Sequence, residues 1–179
     1  PTKNGKLGTA AINKQIQNIV NPEDENKKEK SFGRENPSVY RVGDSVMNVV
    51  NTYNIEDIHG QECMIANGDC GTVLDIDEEN KEIIVQFEQN TVGISFESAP
   101  TNLIHSYALT IHKSQGSGFK VVICVIDRSA AYQLNNNLLY TAVTRTQEYL
   151  LVLSQAKTIN TGMKKWANIE RRSFLKELL

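Results

Sequence analysis

Apolar residues near the start of the chain, Ala10, Ala11, Ile12, Ile16, Ile19 and Val20, recur at the three- and four-residue spacing of an α-helix. Thr9 is available as its cap and Asn21-Pro22 as its stop, so the pattern predicts a helix of about three turns. From Pro22 to Pro37 apolar positions almost vanish among Glu, Asp, Lys, Asn and Ser, the signature of a solvated loop. Alternation follows, with Val42, Val46, Val49 and Val50 apolar and Gly43-Asp44 as a turn, which predicts a strand beginning at Ser45.

Asn67-Gly68-Asp69-Cys70-Gly71 is a further turn signal. The runs Thr72 to Asp77 and Ile83 to Phe87 flank the turn 78–81 and predict a β-hairpin, with Val92 to Phe96 as another strand. Residues 68–103 are therefore expected to form a small antiparallel β-barrel inserted into a larger domain made of residues 1–67 and 104–179. Beyond the insertion the pattern changes to continuous apolar runs, Val121 to Ile126 and Tyr149 to Leu153, which suit strands buried on both faces. Between them Leu134, Leu138, Leu139, Ala142 and Val143 trace one helical stripe, with Asn135 to Asn137 available to cap its first turn. Strand, helix, strand in this order is a βαβ unit and implies a parallel sheet, so the fold class is α/β. A last helix is predicted from about Met163 to Leu178, placing Trp166, Ile169 and Phe174 among basic residues.

Composition narrows the function classes. With 179 residues, 40% of them hydrophobic and 22% charged, the chain is an ordinary globular protein of one domain, or one domain with a small insertion. A net charge of -2 and a pI near 6.0 exclude coating of nucleic acid through bulk positive charge and leave room only for a local basic groove. Cys63, Cys70 and Cys124 form no C-x-x-C pair and are odd in number, so neither a zinc site nor a disulfide framework is expected. No export signal and no apolar run near the length of a membrane span occurs, which points to the cytoplasm and to no membrane partner. The chain opens on Pro1 rather than Met, as a piece of a longer polypeptide would.

Two segments carry the chemistry. Tyr107-Ala108-Leu109-Thr110-Ile111-His112-Lys113-Ser114-Gln115-Gly116-Ser117 resembles helicase motif V, and Tyr140-Thr141-Ala142-Val143-Thr144-Arg145-Thr146 resembles motif VI. Gly43-Asp44-Ser45-Val46-Met47 with Asn51, and Asn67-Gly68-Asp69 with Gly71-Thr72-Val73, resemble the segment before the SH3-like insertion of RecD-type and Dda-type helicases. Lys6-Leu7-Gly8-Thr9 through Asn13, then Gln17 and Asn21-Pro22, resembles that family's start of the second motor domain. Over nearly its whole length the chain thus resembles the superfamily 1B DNA helicases of the RecD-like branch, the relatives of the exodeoxyribonuclease V alpha subunit. The resemblance implies a RecA-like parallel sheet with an inserted SH3-like barrel, acting as the C-terminal part of an ATP-dependent DNA helicase that travels 5′ to 3′.

In such a motor, hydrolysis builds charge on the γ-phosphate, and a guanidinium from a neighbouring domain neutralises it. Arg145 suits that catalytic role because its charge is not lost by titration; the plainer alternative is an arginine interacting with a helix C-terminus. Thr110, His112, Lys113 and Ser114 offer donors to phosphate oxygens of single-stranded DNA; the plainer alternative for His112 is a helix-start side chain. By resemblance Gln115 and Gly116, with Arg145, face the nucleotide. One departure matters: the family commonly has Glu two residues after the motif V glycine, where it accepts from the nucleotide ribose, and this chain has Gly118.

No G-x-x-x-x-G-K-[ST] occurs, so ATP and Mg2+ are expected to be held mainly by an N-terminal motor domain of the same protein. Recombination nuclease subunits are the further partners that the resemblance implies. The rival reading is a non-catalytic DNA- or protein-binding module built on a degenerate helicase domain. A nuclease activity of this chain is not supported, since it shows no clustered acidic metal site.

Overall fold

A computed structural model describes residues 7–35, 37–128 and 131–165. The chain divides into two compact units, which among the described residues are 7–113 and 114–165.

The first unit opens with helix α1, Thr9–Val20. Its cap is Gly8 in extended conformation rather than Thr9, and Gly8 gives its carbonyl to Ile12 N–H at 3.0 Å. The helix lies where the periodicity puts it, but the buried side is the polar one: Thr9, Asn13 and Gln17 are buried with Asn21, while Ile19 and Val20 are exposed. The expected loop at 22–37 is corrected in part. Glu29–Phe32 (β1) pairs antiparallel with Ser38–Arg41 (β2). Tertiary contacts make a strand of this charged segment: Arg41 Nε donates to Glu29 at 2.8 Å, and Phe32 meets Tyr40 and Phe96 edge-on at 6.0 and 5.8 Å.

Gly43 sits at φ +91°, a left-handed turn that favours glycine, and strand β3, Ser45–Asn48, follows. Residues 51–67, too polar to advertise strands, form a hairpin of Thr52–Glu56 (β4) and Glu62–Ile65 (β5). The predicted hairpin appears as Cys70–Asp77 (β6) and Glu82–Phe87 (β7), with Thr91–Ser95 (β8) beside it. A short helix, Ala99–Asn102 (α2), leads into Leu103–His105 (β9). These strands make one five-stranded sheet in the order β8-β7-β6-β3-β9, antiparallel throughout, with β3 between β6 and β9. Alternate residues point into one core: on β7, Ile83, Val85 and Phe87 are buried against Val46, Val73, Ile76 and Val92. Each such side chain contributes roughly 1.5–3 kcal/mol on leaving water. Gly71 is required by close approach, since a Cβ there would lie 2.6 Å from the Gln86 carbonyl oxygen on β7.

The second unit is the βαβ unit: Phe119–Ile126 (β10), Asn136–Val143 (α3) and Thr146–Ser154 (β11), with the two strands parallel. Asn135 caps α3 by accepting from Leu138 N–H at 2.9 Å. Leu134 and Ala142 of its stripe are buried, but Val143 is exposed. Helix α4, Ala156–Lys164, packs on α3 through Gly162, where a Cβ would come within 2.5 Å of the Leu134 side chain. Helix α4 occupies residues to which the pattern assigned no element, and the helix expected from about Met163 to Leu178 lies almost wholly outside the described residues, Trp166, Ile169 and Phe174 with it. One expectation changes here. Burial on both faces is not reached by β10 and β11, whose Val121, Ile123, Tyr149 and Leu151 are exposed. Among the described residues this sheet has only two strands. Among the described residues no helix is long and apolar enough to cross a membrane.

Candidate nucleotide and nucleic-acid site

The segment 107–117 leaves the first sheet after β9 and turns through a single 3-10 turn, Ile111–Ser114. Thr110 starts that turn: Lys113 N–H donates to its carbonyl at 3.0 Å and lies 3.4 Å from its hydroxyl. Thr110 and Ser114 are half-buried, whereas His112, Lys113, Gln115 and Gly116 are exposed. A threonine, an imidazole and an ammonium thus follow one another on one turn, the donor set that suits a run of phosphate oxygens. Gly116 adopts φ +88° with open space where a Cβ would be, so a ligand can approach the backbone closely.

Arg145 lies two residues past the end of α3, rather than on the helix. Its guanidinium donates from Nη1 to the Ser117 carbonyl at 3.0 Å, from Nε to the Thr141 carbonyl at 3.3 Å and from Nη2 to the Thr144 hydroxyl at 3.4 Å. Its own carbonyl accepts from Phe119 N–H at 2.8 Å. The bond to Thr141 is the helix-end interaction of the plainer reading; the bonds to Ser117 and Phe119 tie the residue to the stretch just after Gly116. Among the described residues these three side-chain bonds use three of the five N–H groups of a guanidinium. Gly118, where the family commonly has Glu, faces Gln147: a Cβ there would lie 2.9 Å from its Nε2, so an added side chain has only the flexible end of Gln147 to displace.

A polar cluster that the hydrophobic pattern did not announce sits beneath the start of this segment. Asp44, wholly buried, accepts five hydrogen bonds: from Asn21 Nδ2 (2.6 Å) and Tyr107 Oη (2.9 Å) on Oδ1, and from Gln17 Nε2 (2.6 Å), Arg41 N–H (2.8 Å) and His105 Nε2 (3.2 Å) on Oδ2. Burial alone would push its carboxyl up, but the bonds from His105, Asn21 and the Arg41 amide outweigh it and hold Asp44 below the usual carboxylate range. Burial and the same negative charge push the Tyr107 hydroxyl up to about 12, and the Tyr40 hydroxyl moves in the same direction. The His105 ring stacks on Tyr40 at 4.7 Å. Asn13 clamps the next residue: its Oδ1 accepts from Ala108 N–H at 2.7 Å, and its Nδ2 donates to the carbonyls of Ala108 and His105 at 2.9 and 3.2 Å. The four-residue spacing of Asn13, Gln17 and Asn21, polar residues on one helix face, was the available signal for this cluster. Among the described residues no group of three or more His, Cys, Asp or Glu is arranged to hold a metal ion.

Residues 12–87 match the family model of the ATP-dependent RecD-like DNA helicase SH3 domain, and residues 105–153 match that of the UvrD-like helicase C-terminal domain. The chain is 33% identical over 148 residues to the ATP-dependent RecD2 DNA helicase of Deinococcus radiodurans, covering 83% of this chain and 18% of that protein. It is 26% identical over 181 residues to the RecBCD enzyme subunit RecD of Haemophilus influenzae, covering 99% of this chain and 24% of that one. The crystal structure of the Pif1 helicase from Candida albicans superposes with a TM-score of 0.50 at 19% identity, over 96% of this chain and 47% of that one, a likeness that shows the fold alone. The chain therefore spans well under half the length of these curated relatives.

Proposed function

We propose that the chain, which joins a match to the RecD-like helicase SH3 domain to a match to the UvrD-like helicase C-terminal domain, is a RecD-like helicase segment that works as the C-terminal part of an ATP-dependent DNA helicase. Arg145 supplies the arginine finger, and Gln115 and Gly116 face the nucleotide with it. Thr110, His112, Lys113 and Ser114 form part of the track for single-stranded DNA, along which the motor moves 5′ to 3′. ATP and Mg2+ are held mainly by an N-terminal motor domain of the same protein, because this chain carries no phosphate-loop sequence. Residues 68–103 form the SH3-like insertion of a second motor domain built from residues 1–67 and 104–179. The setting is DNA repair or recombination in the cytoplasm, with recombination nuclease subunits as further partners.

The observation that supports this reading best is the double tie of Arg145 to the stretch after Gly116, through its side chain to Ser117 and its carbonyl to Phe119. A guanidinium held in this way keeps its place, which is what transition-state neutralisation needs. In the polypeptide that unites this chain with its Walker A half, Arg145→Ala is expected to lower kcat of DNA-stimulated ATP hydrolysis by about 10³-fold with little change in DNA affinity. Thr110→Ala is expected to weaken single-stranded DNA binding by roughly 0.5–1.5 kcal/mol and to leave saturated kcat in place. Hydrolysis at a near wild-type rate by the Arg145 variant removes the finger. A second reading, a binding module on a degenerate motor, is favoured by Gly118 and predicts that even the united polypeptide binds DNA without hydrolysing ATP.

A further inference from the structure

The face of α1 that carries Asn13, Gln17 and Asn21 makes no apolar core, and the helicase reading gives it no work. Its side chains are spent on two targets, the Asp44 carboxylate and the backbone of residues 105–108. The second target lies where the chain is about to leave the sheet. Past the last pair of β9 with β3, Ser106 N–H donates to the Ser45 carbonyl at 2.9 Å and the two serine hydroxyls meet at 2.7 Å. Then the chain leaves the sheet: Tyr107 bonds to Asp44, and Ala108 is held by the Asn13 amide, which imitates a neighbouring strand in binding both its N–H and its carbonyl. Thr110 follows two residues later.

We infer that Asn13, braced by the Asp44 cluster, is a positioning residue for the strand-contacting turn: it fixes the peptide of Ala108 and through it the direction in which Thr110, His112 and Lys113 leave the sheet. The inference rests on the DNA contact proposed for Thr110 and adds a residue far away in sequence that sets its aim. Gln17, hydrogen-bonded to Asp44 and to the Val39 carbonyl, and Asn21, bonded to Asp44 and the Val42 carbonyl, hold the carboxylate that anchors Tyr107. Positioning of this kind has a kinetic signature that plain stabilisation lacks. A turn that points the wrong way on a folded protein binds DNA less tightly but, once saturated, hydrolyses ATP at the normal rate.

The test measures ATP hydrolysis by the united polypeptide against the concentration of an oligo-dT strand, well below the melting temperature of each variant. Asn13→Asp keeps the size of the side chain and the acceptor for Ala108 N–H but has no donor for the two carbonyls. The half-saturating DNA concentration is expected to rise about tenfold, the worth of one to two hydrogen bonds, with saturated kcat and the KM for ATP unchanged. Ile83→Val, a loss of buried contact in the same unit, should leave half-saturation where it was. If Asn13→Asp does not fold, Tyr107→Phe, which removes only the hydroxyl bonded to Asp44, takes its place and is expected to shift the same parameter in the same direction. Unchanged half-saturation in the Asn13 or Tyr107 variant, or an equal shift in Ile83→Val, overturns the assignment. Failure of the wild-type protein to show DNA-stimulated hydrolysis would instead refute the helicase reading on which it rests, and Thr110→Ala run alongside separates the two.

Discussion

Strand β7 of the first unit and strand β10 of the second are both rich in Ile and Val, and they dispose of them in opposite ways. Ile83 and Val85 on β7 are 0% exposed, because β6 and β8 flank the strand and the sheet closes one face over a common core. On β10, Val121 is 58% and Ile123 61% exposed, although the run Val121 to Ile126 is the more uniformly apolar of the two. Apolar character fixes that a segment favours a strand, whereas its contribution to stability is fixed by what lies over it, and that is decided far away in sequence. The first unit also carries Asp44, Asp57, Asp75 and Asp77, all held below the usual carboxylate range.

Substitution sharpens the contrast most. Ile83→Ala is expected to cost about 2–5 kcal/mol, whereas Ile123→Ala at its exposed site should stay within about 0.5 kcal/mol. Chemical denaturation of the 179-residue chain, followed separately in the two units by backbone amide signals, measures both; equal losses would erase the distinction.

Acid should weaken the first unit next. For Asp44 burial opposes ionisation but its hydrogen bonds outweigh it, whereas for Asp57, Asp75 and Asp77 the leading causes are the Gln61 amide, the Lys28 side chain and the Asn80 amide. A carboxyl depressed in the folded state stabilises above its unfolded value, near pH 3.9, and loses that contribution as pH falls toward the folded value. Residues 7–113 are therefore expected to lose stability progressively below about pH 5, and Asp44→Asn to flatten that dependence. Melting curves between pH 3 and pH 7 decide it, and a slope unaltered in Asp44→Asn would remove Asp44 from the account.

The smallest effect concerns the second unit. Gly118→Glu restores the acidic side chain common in the family at the cost of moving the end of Gln147. In the united polypeptide it should tighten nucleotide binding by roughly 0.5–1.5 kcal/mol, seen as a lower KM for ATP at unchanged kcat. No change in KM would mean that this position does not meet the ribose.

The places where the sequence was hard to read have a common cause. Periodicity located α1 but not its buried face, since Asn13, Gln17 and Asn21 go inside only because partners as distant as Asp44 and Ala108 satisfy them. The strand Glu29–Phe32 and the hairpin of Thr52–Glu56 and Glu62–Ile65 are too polar for an alternation to show, and pairing with a neighbour makes them strands. By contrast the hairpin at 70–87 and the βαβ unit were legible, because turn residues and apolar runs act locally. At the candidate site, short motifs marked Thr110, Gly116 and Arg145. The Ser117 carbonyl that holds Arg145 is a backbone group with no side-chain signature, and the involvement of His105 and Tyr107 depends on the fold.

One consequence of the sheet order bears on how such a protein can change over time. Strand β3 lies directly beside β9, with Asn48 opposite Leu103, so everything between residues 49 and 102 departs and returns at adjacent points of one sheet. An excursion with neighbouring ends can lengthen for little more than the entropy of closing it, about 0.6 kcal/mol for each doubling. Descendants of this chain are free to add to or trim the tips of that excursion without shifting the register of Val46 against His105, and the segment that leaves the sheet at Ser106 keeps its starting point through every such insertion or deletion.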